Sequence, residues 1–426
     1  MNKIYNPNPN DWETILKRPT QTVADIESTV TEVFNEVKTN GDHAIREYTQ
    51  RFDKVSLNDI LITETEIEEA IKLVPEELKQ AIQLAKGNIT RFHEAQKTGK
   101  LEVATMTGVD CWQEKRPIQK VGLYIPGGTA PLFSTILMLV LPAKIAGCKE
   151  IVLCSPPNVE GKIHPAILYT AQLCGVTKIC KVGGIQAIAG MTFGTQTIPQ
   201  VYKIFGPGNQ FVTVAKQLAT KYGVAIDMPA GPSELLVVAD DSANPAFVAS
   251  DLLSQAEHGK DSQVILISTS KTMIEEVELE VAKQLAVLPR VEIAAEAIKN
   301  SKLIYVENDQ IALNMINEYG PEHFIVCTKN EDFYIDHIAN AGSVFIGNYT
   351  PESVGDYASG TNHTLPTNGY AKNYSGVHLD TFMKSMTFQK LSKQGLQNIG
   401  NAVELMAEAE GLHAHKNAVT LRLNEK

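Results

Sequence analysis

No dense block of Lys and Arg occurs anywhere in this chain, so the feature that would neutralise a phosphate backbone is missing and nucleic acid is not an expected partner. The balance runs the other way, 38 basic residues against 49 acidic ones, for a formal charge of −11. Six cysteines, at 111, 148, 154, 174, 180 and 327, form no Cys-x-x-Cys pair. Reduced, cytoplasmic thiols are therefore the expectation. The start, Met1-Asn2-Lys3-Ile4-Tyr5, has no apolar core behind a basic head, and no export signal is read there. Long apolar runs are also scarce. Val121 to Ala143 carries no charge, but Pro126, Gly127, Gly128, Pro131 and Pro142 interrupt it. A strand, a turn and a buried helix fit it better than a membrane span. With no short-period repeat or low-complexity tract, a solenoid is excluded as well.

What is there is an ordinary globular composition, 43% hydrophobic and 20% charged over 426 residues, enough for two or three domains. Residues 1–120 read as a mostly helical, charged region packing with the second of two α/β units. Short β-type runs then alternate with helical stretches: Val121 to Ile125, Ile151 to Cys154, Thr177 to Val182 and Val201 to Phe205 mark a first unit over 121–233. Leu235 to Ala239, Val264 to Ser268, His323 to Cys327 and Val344 to Ile346 mark a second over 234–380. The fold class is α/β, two Rossmann-like units of mainly parallel sheet, with a small helical C-terminal arm over 381–426. Tyr349 to Tyr374 is rich in Gly, Ser, Thr, Asn and Pro, and a loop of that length in a compact domain is usually functional.

Several polar groups stand out. Asn244 and Pro245 open a helix for which Gly259 is a plausible stop. Gln255 and His258 lie three apart, on one helical face, where an imidazole beside an amide oxygen can bind a metal. A His in a last helical turn is also favoured by the helix dipole, and from the spacing alone that is the plainer reading. Glu322-His323 follows Gly320-Pro321 at the head of an apolar run, which places a tunable carboxylate and imidazole at the mouth of a sheet; a strand-edge ion pair is the plainer reading. Asp356, in the Gly-rich loop, either ligates a cation or caps a turn. Glu410-Gly411-Leu412-His413-Ala414-His415 combines a helix stop with a carboxylate and two imidazoles. The usual GxGxxG fingerprint is absent. In its place stand Tyr124-Ile125-Pro126-Gly127-Gly128, Val182-Gly183-Gly184-Ile185-Gln186 and Phe205-Gly206-Pro207-Gly208-Asn209, each between a strand and a helix, where backbone N–H groups favour a pyrophosphate.

Together with Asp227 to Glu234, Gly355 to Pro366 and Glu410 to Arg422, these segments resemble the histidinol dehydrogenases, and the likeness runs from about Val121 to Arg422. The resemblance implies an NAD-linked, zinc-dependent enzyme that oxidises L-histidinol to L-histidine through a bound aldehyde. Carried over, it makes Gln255, His258, Asp356 and His415 the ligands of one zinc ion, with His415 supplied by the partner of a homodimer. Ser233, His323 and Glu410 join the ligands around the substrate, Tyr124, Gln186 and Asn209 match the NAD contacts, and Glu322 and His323 form the catalytic pair. Competing readings are a thiohemiacetal route through Cys111 or Cys148 and a zinc hydrolase; nothing around either cysteine activates a thiolate, and the Gly-rich turns argue against hydrolysis.

Overall fold

The computed structural model describes residues 1–19, 24–127 and 130–425. Two parallel sheets organise it. The first runs in the order Lys178–Lys181, Glu150–Ser155, Lys120–Tyr124, Lys203–Phe205, Ala225–Ile226, with every pairing parallel. The chain moves outward from Lys120–Tyr124 in one direction and then in the other, so a topological switch point lies between Lys120–Tyr124 and Lys203–Phe205. A crevice opens there at the carboxyl ends of the strands. The second sheet runs in the order Asn2–Tyr5, Lys302–Tyr305, Gln263–Ser268, Glu234–Ala239, His323–Cys327, Ser343–Ile346, again all parallel. Its central strands, ELLVVA and QVILIS, are buried at every position. That is the pattern of strands covered by helices on both faces.

The uncharged stretch seen in the sequence holds the strand Lys120–Tyr124 and the helix Ser134–Ala146, which is buried on nearly every face. Pro142 lies inside this helix and has no N–H to offer the carbonyl of Met138. Asn362 fills the gap, its Nδ2 donating to Met138 O at 2.6 Å, and so ties the Gly-rich loop to the helix. No helix among the described residues is long and apolar enough to cross a membrane.

The N-terminal region divides differently from the expected packing on the second unit. Asn2–Tyr5, which extends the second sheet, and the nearby Trp12, Leu16 and Arg18 pack there. Helices Ala24–Asn40 and Asp42–Phe52 instead cover Gly184–Phe193, and Glu64–Leu73 and Glu76–Glu94 cover Pro165–Cys174 and Ser134–Ala146. The reason is visible in the covered helices, which are apolar on nearly every face and need a second layer outside them. The C-terminal arm begins not with a helix but with Met383–Leu391, antiparallel to Val109–Pro117, which pairs in turn with Leu101–Met106. Phe388 stacks on Trp112 across that ladder, centroids 5.2 Å apart. Helices Lys393–Ala409 and His413–Leu423 then fold on each other as a hairpin, joined through Gly411 at φ 72°.

Candidate active site

The carboxyl end of the first sheet faces the amino end of the second. One cavity of about 280 Å³ lies between them, walled by Pro126 and Gly206 to Gln210 on one side and by Ser233, His258, Glu322 and His363 on the other. A larger cavity of about 620 Å³ follows the first unit past Asp53, Tyr124, Pro156 and Gly184. Asn209 lines both. The pair Glu322-His323 thus stands at the start of its strand, not at the carboxyl edge where α/β sheets keep ligands. The first unit supplies that edge.

Both members of the pair are buried and both are held by the main chain of Glu234 on the neighbouring strand. The Glu234 N–H donates to Glu322 Oε2 at 2.8 Å, and His323 Nδ1 lies 3.2 Å from Glu234 O. In the neutral ring, an Nδ1–H donated to that carbonyl would leave Nε2 with the lone pair. His323 Nε2 has no hydrogen-bond partner among the described residues and stands 3.4 Å from Asp356 Oδ1. Burial raises the Glu322 carboxyl. Burial also pulls the His323 imidazole down, but Glu322, Asp356 and Glu352 facing it outweigh that and raise it.

Helix Pro245–Ala256 starts as expected, with Asn244 Oδ1 accepting from the Ala246 N–H at 3.0 Å. It stops at Ala256, short of Gly259, so His258 lies in the following turn and does not share a helical face with Gln255. Gln255 is buried; its amide fits between Glu352 Oε1 at 2.8 Å, to which it donates, and the Glu234 N–H at 3.2 Å, from which it accepts. Asp356 sits on the short helix Glu352–Tyr357 inside the Gly-rich stretch. Burial pushes its carboxyl up, but His323, His363 and His258 outweigh it and hold the group below its usual range. Burial keeps His258 low and neutral. Glu410 and His415, on the C-terminal hairpin, are exposed and line neither cavity. Among the described residues no three His, Cys, Asp or Glu side chains gather closely enough to hold a metal. His258 and Asp356 fall within electrostatic range of each other, Gln255 lies at the end of the helix just before His258, and His415 stays outside.

The three Gly-rich turns do lie between strand and helix, though Gly128 falls outside the described residues. Their glycines are required by close approach. A Cβ on Gly206, at φ 124°, would lie 2.1 Å from Tyr124 O, and one on Gly183 would lie 2.5 Å from Pro156 Cβ. The Tyr124 hydroxyl accepts from the Gly184 N–H at 3.2 Å, and Gln186 Nε2 donates to Asp53 at 3.3 Å while its buried Oε1 has no partner among the described residues. Asn209 caps the next helix, accepting from the Val212 N–H at 3.1 Å. Behind the Gly206 turn the buried pair Lys216 and Asp227, 2.5 Å apart, holds both sides of the loop: Lys216 donates to Gly206 O at 2.9 Å and Asp227 accepts from Gly206 N–H at 2.8 Å.

The family model of histidinol dehydrogenase matches residues 16–423. The chain belongs to the histidinol dehydrogenase family. It is 59% identical to the histidinol dehydrogenase of Bacteroides thetaiotaomicron over 424 residues, covering 100% of this chain and 99% of the relative. With that of Escherichia coli the identity is 52% over 413 residues, covering 96% and 94%. The crystal structure of histidinol dehydrogenase from Elizabethkingia anophelis superimposes with a TM-score of 0.97 at 56% identity, covering 99% of this chain and 98% of the other. As a histidinol dehydrogenase by family, the protein is an oxidoreductase of histidine biosynthesis.

Within this histidinol dehydrogenase fold, the sequence reading missed Glu352, a buried carboxylate raised to about 8 by burial that accepts from Ser254 Oγ at 2.8 Å. It also missed His363, whose Nδ1 meets Asp356 O at 2.8 Å and whose Nε2 meets Thr135 Oγ1 at 3.1 Å. Both fell within the Gly-rich stretch, where the spacing carries no periodic signal. The competing thiol is poorly placed. Burial pushes Cys148 up to about 12, and its Sγ–H points to Phe382 O at 3.9 Å.

Proposed function

We propose that the protein is a cytoplasmic homodimeric enzyme that oxidises L-histidinol to L-histidine in two steps, using NAD and one zinc ion per subunit. The observation that carries this reading is the shared wall at Asn209, where a cavity walled by Glu322 opens beside a glycine-lined cleft large enough for a dinucleotide. The residues present fit NAD: Gly184 and Asn209, at the starts of two helices, line that cleft, and Gln186 Oε1, buried on the first of these helices, has no hydrogen-bond partner among the described residues. They fit zinc in part. Asp356 Oδ1 is buried without a hydrogen-bond partner among the described residues, neutral His258 stands within its field, and Gln255 lies alongside. The fourth ligand, His415, would come from the partner's C-terminal hairpin, as would Glu410.

Bound NAD would supply the hydride acceptor, and zinc would supply a Lewis acid that fixes the substrate's orientation. The chain's own residues move the protons. His323, with Nδ1 turned to Glu234 O, takes the hydroxyl proton at Nε2. His323 then gives that proton up to solvent; ionised Glu322 removes a proton from the water that adds to the aldehyde, and His323, neutral again, takes the proton of the resulting hydrate. Ser233 lines the same cavity and is placed to touch substrate. The deciding test is NADH absorbance on mixing the protein, NAD and histidinol, before and after a chelator and after zinc is restored. Two NADH per histidinol, lost with the metal and recovered with it, is the expected result; no absorbance change would overturn the reading in favour of hydrolysis.

A further inference from the structure

Glu322 and His323 share one support, the peptide unit of Glu234, and the side chain of that same residue is pinned from behind. Glu234 Oε1 accepts from Arg18 Nε and from the Asn368 N–H at 2.6 Å, while Oε2 accepts from Arg18 Nη2 at 2.9 Å. Arg18 Nη2 also donates to Tyr319 O at 2.9 Å, and the guanidinium lies 3.9 Å above the Tyr319 ring. Tyr319 closes the helix that leads through Gly320-Pro321 into Glu322-His323, and its hydroxyl donates to Gln263 Oε1 at 3.0 Å. Arg18 therefore grips both strands of the switch point in the second sheet: Glu234 at the head of one and the lead-in to His323 at the head of the other. Both carboxylate and guanidinium are largely buried, so this contact costs desolvation and is a poor device for stability alone. A planar, forked donor suits fixing a geometry.

We infer that Arg18 is a positioning residue for the oxidation: it sets the height of the Glu234 peptide, and through it the direction of His323 Nε2 and the place of Glu322 in the wall of the substrate cavity. The inference rests on the proposed catalytic pair. A shift of about 1 Å at reacting groups costs about 100-fold in rate, so Arg18→Ala in the zinc-loaded dimer should lower kcat between about 10- and 100-fold. The KM for histidinol and the dissociation constant for NAD, read by calorimetry, should stay within about threefold, since no contact to either would be lost. Guanidinium ion at non-denaturing concentration should restore part of kcat to Arg18→Ala and none to the parent chain. Arg18→Lys keeps the charge without the fork and should fold and fall between the two. A kcat unchanged in a folded Arg18→Ala or Arg18→Lys chain, or a loss that appears only in KM, would overturn the inference, as would failure of guanidinium to restore any kcat to a folded Arg18→Ala chain. His323→Asn is measured beside them. If that variant keeps its activity, the catalytic pair itself is misassigned; if it is inert while Arg18→Ala is unimpaired, only the positioning role falls.

Discussion

His323 Nε2 and Asp356 Oδ1 stand 3.4 Å apart, buried, and neither has a hydrogen-bond partner among the described residues. At that range they attract each other, but neither atom is satisfied by a hydrogen bond, which is costly in a buried site unless something beside them supplies one. A substrate hydroxyl facing the imidazole and a cation facing the carboxylate answer both needs.

From this arrangement His323→Asn should abolish both oxidations, by about 100- to 10,000-fold if general-base chemistry is what it supplies. Zinc content, measured by metal analysis, should remain near that of the parent chain, because the imidazole is proposed as a base and not as a ligand. Loss of zinc in step with activity would reassign it.

Glu322→Gln keeps the acceptor that meets the Glu234 N–H and removes only the ability to take a proton. It should slow oxidation of the aldehyde more than oxidation of the alcohol. Separate assays with histidinol and with the aldehyde decide it, and a block confined to the alcohol step would count against the assignment.

His415 and Glu410 are exposed on a hairpin that bares Leu405, Met406, Leu412 and Leu421 to solvent in the single chain. If the hairpin completes a neighbour's site, His258→Ala and His415→Ala chains should each be inactive alone. Mixed by mild denaturation and refolded, their heterodimer holds one intact site and should recover up to about half the activity per dimer if sites act independently. Verified heterodimers without activity or zinc would return His415 to its own subunit.

Asp251, on the helix that carries Gln255, is raised to about 7 by burial. The unfolded carboxyl ionises near pH 4 while the folded one stays protonated, so stability is highest below that and falls as pH rises toward 7. Above 7 the penalty is complete, at most about 4 kcal/mol by linkage. Asp251→Asn should therefore raise the melting temperature at pH 8 and change it little at pH 4. An equal shift at both would remove titration as the cause.

Much of this was legible in the sequence because parallel strands buried on both faces leave unbroken apolar runs, and His323–Cys327 was read to the residue. The edge strands Asn2–Tyr5 and Met383–Leu391 were not, since half-exposed edges alternate weakly and take their identity from a distant partner. The site residues followed the same division. Glu322 and His323 announced themselves beside a Gly-Pro turn, whereas Arg18 and Glu352 gain meaning only from what folds against them, 216 positions away in the case of Arg18 and Glu234. The place of His258 was misjudged because a helix can end before its apparent glycine stop when its last turn tightens, as it does here with the His258 N–H bonded to Gln255 O at 3.3 Å, three residues back instead of four.

The two cavities that meet at Asn209 bear on the order of events. A reaction that removes two hydrides must discard one spent dinucleotide and admit a second while a reactive aldehyde waits. With a single chamber, each exchange would risk losing the aldehyde. If the larger cavity holds the dinucleotide and the smaller one the substrate, as proposed, the two touch at one asparagine wall, so the carrier would have its own doorway and the half-finished product would not have to stand in it.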